Sequence, residues 1–328
     1  MDAIEARQAG DPEVLQLLER PAPEPGPGQV VVRTEAIGVN FIDTYHRSGV
    51  YPMDFPLVPG SEGAGVVSAV GEGVPAVAVG DRVAWATSLT GSYAQEVLVD
   101  AAAALPVPDD LDSAAAAALA LQGMTAQMLT DGVVALEPGQ TVLLTAGAGG
   151  VGLLLTQLAV AAGARVISTV STEEKEELSR GAGAAEVIRY TELDDLTAEL
   201  PARVRELTGG VGVDVAYDGV GKDTFDASLA SVRTRGMLVL FGGASGQVPP
   251  FDLQRLNRAG SLFVTRPTLM HYIADPEELR YRAGSVFAAA RTGALDVRIG
   301  ARYPLAEAAE AHRALEGRET TGKVLLIP

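Results

Sequence analysis

Cysteine is absent from the 328 residues. That excludes disulfides, thiolate nucleophiles, iron–sulfur clusters and thiolate-bound zinc. Histidine is scarce as well: His46, His271 and His312 are the three copies. A catalytic zinc needs about three protein ligands, and no close spacing joins these histidines to carboxylates, so no metal site is expected. Positive charge is short, with 25 Lys+Arg against 42 Asp+Glu and a net charge of −17. Such a chain repels phosphate-bearing surfaces, so neither nucleic acid nor an anionic membrane is expected as a partner. Aromatics make up 5% of the residues and form no basic stripe with interleaved rings.

What is present describes a two-domain protein with a full core. The chain is 47% hydrophobic and 20% charged, a balance that folds rather than stays disordered, and its length suits about two domains. Met1-Asp2-Ala3-Ile4-Glu5 lacks the basic start and apolar run of a secretory signal. One long uncharged stretch, Pro138 to Ala164, is broken by Gly147, Gly149, Gly150 and Gly152. It reads as a strand, a turn and a buried helix rather than a bilayer span, and a cytoplasmic protein is expected.

Residues 1 to about 120 read as β-rich. Val30, Val32 and Thr34 alternate in a strand-like run, and Glu62 to Val70 and Asp81 to Ala86 follow as short strands. The run Ala114 to Ala120 opens a helix behind two candidate N-caps, Asp112 and Ser113. From about 121 the pattern alternates between strand and helix. Strands are predicted at Thr141 to Thr145, Arg165 to Val170, Val187 to Tyr190, Val213 to Tyr217, Met237 to Phe241 and Ser261 to Thr265. A helix apolar nearly all round spans Gly150 to Ala162, and Ser171-Thr172-Glu173-Glu174 offers a capping box for another. This alternation implies an α/β class with a doubly wound parallel sheet. Beyond about 266, a helix starts at Asp275-Pro276 and ends at Gly293. Another runs from about Pro304 to Glu316, before the strand Lys323 to Ile327.

Gly147-Ala148-Gly149-Gly150-Val151-Gly152 fits G-x-G-x-x-G between a predicted strand and helix. Glycines there permit a tight turn and close backbone approach to a pyrophosphate at the helix N-terminus, so dinucleotide binding is expected. The alternative is a turn serving helix–strand packing. An NAD enzyme places Asp or Glu after the second strand, to bind the ribose 2′-hydroxyl. Here Ser168, Thr169, Ser171 and Thr172 supply hydroxyls, and Lys175 follows one helical turn in. That set favours NADP(H), because a 2′-phosphate meets donors and a cation instead of an anion. As an alternative, Lys175 is an ordinary solvated helix lysine.

The chain resembles the zinc-independent quinone oxidoreductases of the medium-chain dehydrogenase/reductase superfamily, the zeta-crystallin-like branch. The resemblance rests on Asp11-Pro12-Glu13-Val14-Leu15, Gly38-Val39-Asn40-Phe41-Ile42-Asp43-Thr44-Tyr45, Pro59-Gly60-Ser61-Glu62-Gly63-Ala64-Gly65, Gly80-Asp81-Arg82-Val83, the glycine turn and Val264-Thr265-Arg266-Pro267. It implies a GroES-like β-rich catalytic domain from 1–120 and 266–328 around a Rossmann domain at 121–265, as a homodimer. Zinc-dependent relatives carry a Cys near position 40 and a His near 61, where this chain has Asn40 and Ser61, with Asp43 and Glu62 retained.

Residue by residue, the resemblance implies that Asn40 and Tyr45 line the nicotinamide and substrate cleft. Tyr45 either bonds the substrate oxygen or only lines the cleft. Thr125 is implied near the nicotinamide, and Ser171, Lys175 and Tyr190 around the 2′-phosphate. Phe241, Gly242, Gly243, Phe263, Val264 and Thr265 are implied at the nicotinamide border. Arg266 and Lys323 offer charge to cofactor or cleft, or form internal salt bridges. His46 is a proton relay or an exposed loop histidine.

Without a Lewis acid, alcohol oxidation would lack a means of stabilising an alkoxide, whereas a quinone or enone delocalises the charge left by hydride. The expected activity is therefore NADPH-dependent quinone reduction. Enoyl or alkenal reduction is the alternative enzyme, and non-catalytic NADPH binding the alternative of another class. The last two strands of the parallel sheet are apolar, and one at its edge is a candidate for pairing with a second copy.

Overall fold

The computed structural model describes the whole chain, residues 1–328. In chain order the strands are β1 (Asp2–Glu5), β2 (Gln16–Glu19), β3 (Gln29–Val39), β4 (Glu62–Val70), β5 (Arg82–Trp85), β6 (Glu96–Asp100), β7 (Leu105–Pro106), β8 (Thr141–Leu144), β9 (Arg165–Val170), β10 (Glu186–Arg189), β11 (Val213–Asp218), β12 (Val232–Leu240), β13 (Phe263–Thr265), β14 (Ile299–Pro304) and β15 (Lys323–Ile327). The α-helices are α1 (Phe41–Ser48), α2 (Ser113–Ala120), α3 (Gln122–Gln127), α4 (Gly150–Ala161), α5 (Glu173–Gly181), α6 (Leu196–Leu207), α7 (Phe225–Ser231), α8 (Gln254–Arg258), α9 (Leu269–Tyr272), α10 (Pro276–Arg291) and α11 (Ala308–Glu316). Two compact units result: Met1–Thr125 with Ile273–Pro328, and Ala126–Tyr272.

The first unit is built on a sheet of order β14-β15-β3-β4-β5-β7, with β6 also pairing with β3. Register shifts along β3 divide its eleven residues between two cores. Val30 and Val32 pack with Val67, Val83, Trp85, Val97 and Val99. Ile37 and Val39 pack instead with Ile4, Tyr93, Leu305, Ala311 and Leu326. The β-branched residues suit these pleated, buried surfaces. Asp112 caps α2 by accepting the Ala115 N–H at 2.7 Å, as expected of an aspartate in that position. Residues 41–48, expected as part of a β-rich and irregular stretch, form α1 instead, and its buried residues include Asp43, Thr44 and Arg47.

The second unit is a six-stranded sheet of order β10-β9-β8-β11-β12-β13, parallel throughout. Counted from the unit's own first strand, that order is 3-2-1-4-5-6. It is the doubly wound arrangement in which ligands bind beyond the carboxyl ends of the strands, where the order reverses. Strand β8 buries Val142, Leu143 and Leu144, and α4 buries Leu153, Leu154, Leu155 and Ala159. Each such leucine contributes about 2 kcal/mol of apolar burial. No helix of the chain is long and apolar enough to cross a membrane.

Two local expectations are corrected. The cap of α5 is Thr172 alone, whose hydroxyl accepts from the Lys175 N–H at 3.3 Å. Ser171 stays outside the helix, its carbonyl accepting from Thr191 Oγ1 at 2.7 Å, so the Ser171–Glu174 capping box does not form. Strand β12 starts at Val232, five residues before the predicted start, because Val232 also pairs with Val213, across a register shift within which Arg235 takes a left-handed φ of 62°.

Candidate functional site

In the second unit, the residues expected at a dinucleotide gather at the carboxyl end of the parallel sheet. The glycine turn follows β8, Ser171 follows β9, Tyr190 follows β10, Phe241 to Gly243 follow β12, and Arg266 follows β13. Phe263 and Val264 differ from the rest, because they lie within the edge strand β13 and are 58% and 37% exposed.

The glycine turn is tight for identifiable reasons. A Cβ on Gly147 would stand 1.7 Å from Ser168 Oγ, and one on Gly152 would stand 2.3 Å from the Ala146 carbonyl oxygen. Ser168 is itself held, because Ser179 Oγ donates to its hydroxyl at 2.8 Å and both residues are fully buried. Gly149 is less crowded: its Cβ would meet only the Ala146 carbonyl, at a tight 3.2 Å that needs a shift of a few tenths of an ångström. It is also the N-cap of α4 and offers no side chain to the helix's opening N–H groups. Those donors, together with the helix dipole, form an anion site.

Beside the turn, Asp218 organises the neighbouring loop. It is fully buried, and its Oδ1 accepts from Thr145 Oγ1 (3.3 Å) and from the N–H groups of Val220 (2.9 Å) and Gly221 (3.0 Å). Its Oδ2 accepts from Thr224 Oγ1 (2.8 Å) and Ser228 Oγ (2.7 Å). A Cβ on Gly242 would lie 2.2 Å from the Gly219 carbonyl, so the loops after β11 and β12 pack closely. Arg266 donates to the carbonyls of Leu240 (3.2 Å) and Gly242 (3.3 Å), and so ties the end of β12 to the segment after β13.

Around the expected 2′-phosphate position, Ser171 and Lys175 are half-buried, and Glu173 and Glu174 are exposed. Glu176 is neutralised by Arg180 at 2.9 Å and Arg189 at 3.3 Å.

The first unit holds a different kind of site. Asn40 follows β3 directly and is the N-cap residue of α1, and it is 4% exposed. Its Nδ2 donates to Glu62 Oε1 at 2.6 Å, while its Oδ1 accepts from Gln122 Nε2 (3.0 Å) and Lys323 Nζ (2.9 Å). Lys323 also pairs directly with Glu62, and both side chains are sealed from solvent. Lys323 is therefore inside a buried ion pair that fixes the Asn40 amide. Gln122 Oε1 is buried without a hydrogen-bond partner, an acceptor left open beside Asn40.

Tyr45 lies on α1, half-buried, with its ring edge-on to Tyr51 at 5.3 Å. His46 is on the same helix rather than in a loop, and burial lowers its pKa. Thr125 is near the end of α3, its hydroxyl bonded to the Leu121 carbonyl at 2.7 Å.

Sequence reasoning alone gave no role to Gln122, Tyr51, Tyr93 or His312. The last two are buried, and His312, held neutral by burial with its pKa lowered to about 3, is hydrogen-bonded on both ring nitrogens.

Two family profiles match the chain: an alcohol dehydrogenase GroES-like domain over residues 26–109 and a zinc-binding dehydrogenase over residues 150–275. It is 46% identical to a quinone oxidoreductase of Pseudomonas aeruginosa over 320 residues, which cover 97% of each chain. It is 43% identical to a 2-haloacrylate reductase of Burkholderia over 326 residues, 97% of this chain and 96% of that one. Among solved structures, a mycobacterial protein complexed with NADPH superposes with a TM-score of 0.96 at 52% identity, covering all of both chains.

Proposed function

The chain belongs to the zinc-independent quinone oxidoreductases of the medium-chain dehydrogenase/reductase superfamily, and on that premise we propose that it reduces quinones at the expense of NADPH. The observation that carries this reading is the uncapped start of α4 behind a turn in which Gly147 and Gly152 have no space for a side chain. That cradle suits a pyrophosphate. Gly147, Gly149, Gly150, Val151 and Gly152 would hold the diphosphate, and Ser171, Lys175 and Tyr190 the 2′-phosphate. Phe241, Gly242 and Gly243 would lie at the nicotinamide end, with Arg266 bracing the loop after β12. When bound, NADPH supplies the hydride.

The chain's own residues do the rest. Asn40, fixed by Lys323, Glu62 and Gln122, presents an amide that cannot rotate, and such pre-oriented groups lower the entropic cost of reaching a reactive geometry. Tyr45 and Tyr51 offer an aromatic corner for a flat acceptor. The Tyr45 hydroxyl is a donor for the oxygen on which charge develops.

The 2-haloacrylate reductase relative favours a second reading, in which the acceptor is an α,β-unsaturated carbonyl compound. A panel of quinones, enones and haloacrylates compared by kcat/KM with NADPH separates the two. Quinones are expected to lead by at least tenfold, and an enone or haloacrylate at the top of the panel would replace the first reading with the second.

The reading includes a cytoplasmic homodimer. It is supported by β13, an edge strand with Phe263 and Val264 exposed, since unpaired apolar edges are templates for a second copy. A monomer in sedimentation at micromolar concentration would remove the dimer from it.

A further inference from the structure

A hydrogen-bonded array in the first unit runs from exposed Glu316 through the buried side chains of Arg47, His312, Tyr93 and Asp43 to half-buried Ser61. We propose that Ser61 hands a proton to the reduced acceptor and that the buried carboxyl of Asp43 is the source of that proton; this rests on the quinone-reduction reading.

The direction of the array follows from its fixed end. Arg47, 2% exposed, donates to Glu316 through both terminal nitrogens, at 2.9 and 2.8 Å, and to His312 Nδ1 at 3.2 Å. A guanidinium keeps its protons, so Nδ1 must accept and the imidazole proton sits on Nε2. Nε2 then donates to the Tyr93 hydroxyl at 2.9 Å, and Tyr93 spends its own hydrogen on Asp43 Oδ2 at 3.2 Å. The same oxygen accepts the Asn40 N–H at 2.9 Å. A proton on Asp43 therefore has no exit through Tyr93 or His312. The remaining neighbour is Ser61, half-buried, whose Oγ lies 3.3 Å from Asp43 Oδ1.

Ser61 is held in place as firmly as the rest. Gly60 adopts φ 95°, and a Cβ there would strike the Tyr93 ring at 2.3 Å. The Ser92 N–H donates to the carbonyls of Pro59 and Gly60, both at 3.0 Å, and the Tyr93 N–H donates to Pro59 at 3.0 Å. The loop carrying Ser61 is thus stitched to the segment carrying Tyr93.

Burial raises the Asp43 carboxyl to about 7, with the Glu62 charge acting in the same direction. Lys323 and the donors from Asn40 and Tyr93 oppose the shift. Arg47 lies on Asp43's own helix, and His312 on α11 is neutral. A carboxyl poised near neutrality is matched to general-acid work.

The step balances. Hydride brings two electrons to the quinone, oxidising NADPH to NADP+ and leaving a hydroquinone monoanion. The Ser61 O–H bond breaks as the new O–H forms on that anion, and the Asp43 O–H breaks to restore the serine. Asp43 is left as a carboxylate facing the N–H of Asn40, the hydroxyls of Tyr93 and Ser61 and the charge of Lys323. Water then reprotonates it through Ser61.

The test uses the full-length enzyme with Ser61→Ala, Ser61→Thr and Asp43→Asn, reading kcat from pH 5.5 to 9 and NADPH affinity by titration. The unsubstituted enzyme is expected to lose kcat as pH rises past about 7. Ser61→Ala is expected to lower kcat at pH 6 by about 100-fold, a general-acid magnitude. Its profile becomes flat and its NADPH affinity stays within about twofold, while Ser61→Thr restores both rate and profile. Asp43→Asn is expected to match Ser61→Ala. Unchanged kcat and an unchanged basic limb in Ser61→Ala overturn the proposal, as does a basic limb surviving in folded Asp43→Asn. If Asp43→Asn fails to fold, the two variants at half-buried Ser61 decide alone. A lack of quinone turnover in the unsubstituted enzyme strikes the functional reading instead.

Discussion

Replacing Lys323 with methionine is expected to cost about 3–5 kcal/mol of folding stability, the usual result of removing one partner of a buried ion pair. The ammonium is 1% exposed and Glu62 is fully buried. Methionine fills a similar volume but leaves the Glu62 carboxylate with only the Asn40 amide and the Leu121 N–H as donors. Urea unfolding of the single variants and of the Lys323→Met, Glu62→Gln double variant reads the coupling. The double variant is expected to recover a substantial part of the loss, because no uncompensated charge remains. The folded fraction of Lys323→Met is also expected to turn over more slowly, since Asn40 loses one of the two donors to its Oδ1. A single variant within about 1 kcal/mol of the parent would mean the pair does not organise the site.

The second large effect is expected at the glycine turn, and two positions should behave differently. Gly152→Ala places a Cβ 2.3 Å from a backbone carbonyl, so the turn itself must move. NADPH affinity is expected to fall about 100-fold, or about 2.7 kcal/mol, with a clear loss of thermal stability. Gly149→Ala meets one contact at 3.2 Å, and its φ of −74° suits alanine. Its melting temperature is expected to stay within about 1 °C, less than the roughly 2 °C by which 1 kcal/mol would move a chain of this size. Affinity should still drop at least tenfold, because the methyl occupies the approach to the helix N-terminus. A Gly149→Ala protein that binds NADPH as tightly as the parent would show that the diphosphate lies elsewhere.

The two units differ in how much of them is legible from sequence, and the reason is the distance between partners. In the parallel sheet, β9 matches its sequence-based bounds residue for residue and α4 ends one residue short of them. There, β-branched runs, glycine punctuation and helix caps are local signals. The strand–turn–helix around Gly147 to Gly152 is legible for the same reason. Helix α1 is not, because it buries Asp43, Thr44 and Arg47, which inverts the apolar periodicity by which an amphipathic helix is read. Its partners are remote: Arg47 meets His312 across 265 positions, and Asn40 meets Lys323 across 283. No window along the chain contains both members of such a pair. A buried lysine and two buried carboxylates are individually improbable core residues, and only the fold supplies their partners, Lys323 for Glu62 and the Asn40 N–H and Tyr93 hydroxyl for Asp43. Lys323, expected to offer its charge to the cofactor or cleft or to form an internal salt bridge, is found in the latter, with Glu62.

The most direct measurement is the initial rate of NADPH oxidation by the purified protein, followed over a range of NADPH concentrations with and without a quinone and repeated with NADH. Oxidation is expected only when quinone is present, with one hydroquinone formed per NADPH and a kcat/KM for NADPH at least tenfold above that for NADH, about 1.4 kcal/mol of discrimination. Tight NADPH binding without oxidation by any quinone, or equal use of NADH, would contradict the account.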